Sequence, residues 1–251
     1  MQSVAAGDSK AGSARRPLRK SPFFTILGLI MLALAIAGFW PQYFSVIVGR
    51  PLDGYARFWM IHLHAALFIL WLLAYISQAA LVLAGRTRTH RRLGPSIAGY
   101  GFAISLVGLY AGALLFHRFA VLENDPETAA AVVFFPLVDM VYFAGFLAVG
   151  IAWRHRPDLH KRAMFLATFS MAIVGSGRLF GRMELESEIL WQALNLAPLL
   201  LAMAYDGLVC RKLYAVMACG LVLHLARLNA DPFTTSEAWL PIGRAVVGLV
   251  N

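Results

Sequence analysis

Long apolar runs alternate with short polar breaks along almost the whole chain. A membrane crossing takes roughly 20 mostly apolar residues to cover about 30 Å of hydrocarbon. Seven stretches reach or approach that length, at about 22–40, 57–84, 95–117, 131–153, 162–182, 189–210 and 212–230. Pro41, Pro51, Pro95, Pro126 and Pro157 stand at or near the breaks, where helices begin or end. The pattern predicts an all-α, polytopic membrane protein with seven transmembrane helices. The first stretch follows Arg15-Arg16-Pro17-Leu18-Arg19-Lys20, which resembles the charged start of a signal peptide. Gly38-Phe39-Trp40-Pro41 stands where a small-x-small cleavage site would be needed, so the stretch reads as a retained first helix.

Composition sharpens this. The 251 residues are 60% hydrophobic and only 14% charged, against about 25% charged in an ordinary soluble domain. Disorder over the whole chain and a typical soluble enzyme are excluded. The net charge of +9 suggests a polyanionic partner unless the basic residues have another reason for their places. They do. With the N-terminus inside, cytoplasmic segments collect Lys10, Arg15, Arg16, Arg19 and Lys20, then Arg86, Arg88, Arg91 and Arg92. Arg154, Arg156, Lys161, Arg162, Arg211 and Lys212 bring the set to 15 of the 22 basic residues. Asp53, Glu123, Asp125, Glu127, Glu184, Glu186, Glu188, Asp231 and Glu237 fall on the other side. The positive-inside rule then sets the N-terminus inside and the C-terminus outside.

The charge therefore points to a lipid bilayer with anionic headgroups at the cytoplasmic face, and to no nucleic acid. A multi-pass protein of a bacterial inner membrane is the expected setting. Residues 1–21 are predicted to be a disordered basic tail, 22–230 the transmembrane domain, and 231–251 a short segment at the outer interface. Cys210 and Cys219 are too few for a disulfide framework.

One motif recurs. Arg86-x-x-x-His90-Arg91-Arg92 returns 70 residues later as Arg156-x-x-x-His160-Lys161-Arg162, each copy joining one span to the next on the cytoplasmic side. The two helical hairpins read as a parallel repeat forming a four-helix core of spans two to five. Histidine and arginine at span ends snorkel to lipid phosphates and fix topology, which needs no ligand. The functional alternative sets His90 and His160 face to face as axial ligands of a haem b, with Arg91 and Arg162 neutralising its propionates.

A second group lies in the outer half. Counting helical rise, His64 lies roughly 10 Å deep, Asp139 about 12 Å and His224 about 9 Å. Arg178, Asn195 and Arg227 share that layer. His64, Trp71 and Gln78 are seven apart and so share one face of span two, which should meet protein. Three readings compete. Asp139 pairs with Arg178 or Arg227 in a structural network; or His64, His224 and Asp139, perhaps with His117, hold a transition metal; or Arg178, Asn195 and Arg227, with Gln78 and Trp71, line an outward-facing pocket for a small molecule. Asp206 is expected to pair locally with Arg211-Lys212. Phosphate loops, nucleophile elbows and paired catalytic carboxylates are absent.

Several of these segments carry a resemblance over about 150 residues, from span two to the start of span seven. They are His64 with Trp71 and Gln78, His90-Arg91-Arg92-Leu93-Gly94, Pro157-Asp158-Leu159-His160-Lys161-Arg162-Ala163-Met164, and Tyr205-Asp206. The chain resembles a broad group of uncharacterised bacterial multi-span membrane proteins. Its His-Lys-Arg-x-Met element is similar to one in membrane proteins that assist cytochrome oxidase assembly. More distantly, its histidines resemble those of transmembrane di-haem cytochromes b. That family carries a second histidine pair near the opposite face, whereas span four here presents Asp139 and no histidine. The resemblance implies a helical core binding haem or a metal for respiratory electron transfer or oxidase assembly, in contact with a respiratory complex. A transporter or receptor, or an assembly partner without ligand, are the alternatives.

Overall fold

The computed structural model describes residues 21–41, 43–50 and 59–250. The basic tail over 1–20, Pro51 and Asp53 lie outside the described residues. The chain is all-helical: α1 (Phe23–Phe39), a 3-10 turn at Phe44–Val48, α2 (Trp59–Leu83), α3 (Thr87–Leu122), α4 (Pro126–Val132), α5 (Phe134–Ala152), α6 (Pro157–Gly181), α7 (Glu188–Leu208), α8 (Ala215–Leu228), α9 (Asp231–Thr234) and α10 (Leu240–Gly248). Five segments are long and apolar enough to cross a membrane: α2, α3, α4 with α5, α6 and α7. The expected first and seventh spans are apolar but shorter, with 17 residues in α1 and 14 in α8.

The ends of these helices follow from local chemistry. Pro126 and Pro157 occupy first-turn positions, where a missing N–H leaves no bond unmade. Asp125 caps α4 by accepting from the Thr128 amide at 3.0 Å, and Ser187 caps α7 by accepting from Leu190 at 3.2 Å. The hydrogen bonds from Thr128 hold the Asp125 carboxyl below its usual range. Pro95 lies inside α3, not at its start: the helix begins eight residues earlier, at Thr87. Proline removes one N–H, whose acceptor would be the carbonyl of exposed Arg91. The motif at 86–92 is therefore the first turn of a helix instead of a loop.

Helix α6 is the axis of the fold. Phe165–Ile173 are buried without exception, so this stretch keeps no face for lipid. Helices α1 and α5 make the largest interfaces with it, α7 and α8 cover another side, and α2 packs on α3 and α1. The core thus includes α2, α3, α5 and α6, as the repeat predicts, and takes in α1 as well. Helix α1 runs parallel to α6, and a Cβ at Gly38 would overlap the Gly175 carbonyl oxygen. One at Gly175 would come within 2.7 Å of Ala35 Cα. Two backbones approach this closely only where side chains are absent. Arg182 closes the junction, donating to the Gly38 and Ala37 carbonyls at 2.9 and 3.1 Å and so capping α1.

The helix ends sort by charge. Arg86, Arg91, Arg156, Lys161, Arg211 and Lys212 lie at one end of the bundle; Glu123, Glu127, Glu184 and Glu188 lie at the other. At the acidic end, α10 packs on α4 and α3 around Ala129, Val133, Trp239 and Val247. The Trp239 indole donates to the Ala130 carbonyl at 2.8 Å, and Arg244 forms a fork with Glu127 at 2.8 Å.

Candidate functional site at the basic end

His90 and His160 are both the fourth residue of their helices, with Arg86 and Arg156 at the two N-caps. Each amide closes the same first turn, onto the Arg86 carbonyl at 3.1 Å and the Arg156 carbonyl at 2.9 Å. The sequence repeat is therefore a repeat in register. It brings the two imidazoles together, with ring centroids 6.1 Å apart and planes at 74°. His160 Nδ1 lies 2.8 Å from the Gly150 carbonyl on the preceding helix, α5. A carbonyl acceptor fixes the proton on Nδ1 and leaves the Nε2 lone pair available. His90 Nδ1, by contrast, is buried and has no hydrogen-bond partner. Gln78 adds two more such atoms, Oε1 and Nε2. Buried polar atoms are nearly always bonded, so three unpaired ones on these two helices are a departure that needs a cause.

Gln78 was expected in an outer pocket. The structure puts it at the basic end, because α2 and α3 form an antiparallel hairpin whose turn at 84–86 lies six residues after Gln78 and four before His90. Trp71 is likewise packed: it is 1% exposed, its indole donates to Thr168 Oγ1 at 3.3 Å, and it meets Phe143 edge-on.

Arg162 does not serve the histidines. It is fully buried, and its Nε donates to Asp206 at 2.7 Å while Nη2 takes the other carboxylate oxygen. Nη1 caps the Asp158 carbonyl at 2.7 Å, and the guanidinium stacks 3.4 Å from the Tyr214 ring centre. With its donors spent on Asp206, Arg162 is not available to haem propionates. Asp206 correspondingly pairs across helices, not with Arg211 or Lys212. Arg91 is exposed at the first turn of α3.

In the acidic half, the expected metal trio does not assemble. Asp139 is held by both nitrogens of an Arg227 fork at 2.8 Å. His224 spends both ring nitrogens, on the Gly220 carbonyl at 2.8 Å and Ser170 Oγ at 3.2 Å, inside a cage of Phe146, Phe169 and Tyr142. His64 packs on Phe68 with ring centres 4.0 Å apart, within electrostatic range of Arg178. Arg178 itself lies 4.9 Å over the Phe39 ring. Asn195 donates to Trp191 and sits beside Gly177. His117 is elsewhere, on a shallow groove at the far end of α3 with Leu114 and Arg118. Among the described residues no three His, Cys, Asp or Glu side chains gather as metal ligands. Of the readings for this layer, the packed network is the one the geometry matches, with Arg227 as the partner of Asp139.

Sequence reasoning missed the Gly150 carbonyl, which carries no side-chain signal, and Tyr214 beneath Arg162. That Gln78 lies near the same end as His90 was readable from the short hairpin turn between α2 and α3. Comparison with known proteins returns no match: no family model, no curated sequence and no solved structure is similar to the chain.

Proposed function

We propose that this chain is a seven-span protein of a bacterial inner membrane, with its basic end in the cytoplasm, that holds a metal centre between His90 and His160. The centre is a haem b iron or a transition-metal ion, and the protein serves respiratory electron transfer or oxidase assembly. The observation that carries this reading is the pair of imidazoles 6.1 Å apart, with His160 Nδ1 anchored on a carbonyl. A metal–nitrogen bond of about 2.0 Å on each side of one ion puts two collinear imidazole centres about 6 Å apart. A metal-bound histidine nearly always gives its other N–H to a carbonyl or carboxylate. A bound iron or copper would supply one-electron exchange at this end of the bundle.

Seven spans are supported by the course of α8. It runs from Tyr214, stacked on Arg162 at the basic end, to Asn229, bonded to Gln192 in the first turns of α7. Arg91 and the other exposed cations of this end suit anionic headgroups.

The test is the absorbance spectrum and metal content of protein purified from cells supplied with iron, copper and haem precursor. A Soret band or one metal per chain is expected, lost in His90→Ala and in His160→Ala. Neither haem nor metal in folded native protein would falsify the reading. A second reading, an assembly partner without ligand, is favoured by the closed Asp139–Arg227 and Arg162–Asp206 forks, and predicts a co-purifying membrane complex instead.

A further inference from the structure

This inference rests on the reading that the His90–His160 pair holds a metal centre. The geometry points to the kind of centre: a single monovalent copper ion, held in linear two-coordination by the two imidazoles, without a porphyrin.

The number of donors decides first. Zinc in proteins takes four ligands, and octahedral ions take six. The described residues bring only two histidines together here, with no carboxylate or thiolate to complete a divalent site. Copper in its monovalent, closed-shell state is satisfied by two donors in a line, and imidazole is among its ligand types. The ring separation of 6.1 Å is the spacing that two imidazoles on one such ion require.

Space decides next. His90 Nδ1 and both amide atoms of Gln78 are shut off from solvent, while the two imidazole rings are half-buried. A single ion needs no more space than lies between the two imidazole rings. A porphyrin needs a slot, and here α2 and α3 would have to part from α5 and α6. Those pairs are stitched together by the Trp71–Thr168 hydrogen bond and by Gly101 pressed against Leu147 and Trp71. Arg162, the natural partner of a propionate at this level, is committed to Asp206.

Charge and softness decide last. Two neutral imidazoles leave the full charge of the ion uncompensated among Arg91, Lys161 and Arg156. One positive charge is tolerated there more readily than two. Met164, one turn beyond His160 on the same face of α6, packs its sulfur against Gly150 and adds a soft neighbour.

Anaerobic titration of the metal-stripped, detergent-purified full chain with Cu(I), against a chromophoric Cu(I) chelator, tests this. One Cu(I) per chain is expected, with the two-coordinate edge feature in X-ray absorption. His90→Ala and His160→Ala should each weaken binding at least 100-fold. Their helicity and melting temperature report folding, and His160→Cys, which restores a soft donor, should recover Cu(I) if the loss is of a ligand. Zn(II) should bind at least 100-fold more weakly than Cu(I). A Soret band in the native protein, or Zn(II) held as tightly as Cu(I), overturns this inference and leaves the metal-centre reading standing. Native protein that takes neither copper, zinc nor haem overturns both.

Discussion

Two arginine–carboxylate forks hold the outer helices to the core, and each is a single residue pair. Arg162–Asp206 ties α6 to α7, and Asp139–Arg227 ties α5 to α8. Removing one member of a buried pair leaves the other charged and unsolvated, at a cost of about 3–5 kcal/mol. Asp206→Ala should therefore lower stability by about that amount in detergent unfolding followed by circular dichroism. The Arg162→Met, Asp206→Leu double variant should recover most of the loss, because no buried charge remains. Equal stability of Asp206→Ala and native protein would show that water reaches Arg162. The sequence offered Asp139 two partners, Arg178 and Arg227, and could not choose. Both stand at the right depth, and which helix lies beside α5 is not a local property.

Helix α6 shows how an element's neighbours depend on what it lacks. Its backbone meets α1 at Gly175, Ala35 and Gly38, where a leucine has no room. Gly175→Leu should cost at least about 1–3 kcal/mol, the usual penalty for overpacking, because the obstructing atoms are main chain. Gly94→Ala and Gly99→Ala in α3 meet nothing within 4 Å and should stabilise by about 0.5–1 kcal/mol each. Thermal unfolding of the three variants side by side checks both signs. If Gly175→Leu melts with the native protein, α1 does not rest on α6 as described. The glycines of span five were readable in sequence as points of close approach. That α1 takes the place was not, since a glycine face shows that a neighbour comes close without naming it.

The molecule as a whole is polarised, with an excess of cations at one end and of carboxylates at the other. Cys210 is exposed at the basic end, beside Arg211 and Lys212, while Cys219 is exposed on the side of α8. In a Cys219→Ser background, a membrane-impermeant maleimide should label Cys210 in inverted vesicles and leave it unlabelled in right-side-out ones. The reverse pattern would turn the whole bundle over.

The sequence by itself determined the all-helical class, the apolar runs, the charge asymmetry of their ends and the histidine echo. Each of these is written in periodicity or composition along one stretch of chain. Tertiary structure alone decided that His90 meets His160, that His64, His224 and Asp139 stay apart, and that Arg162 belongs to Asp206. Depth in a bundle can be counted residue by residue. Proximity depends on which helix faces which, and that is set by packing among all of them at once.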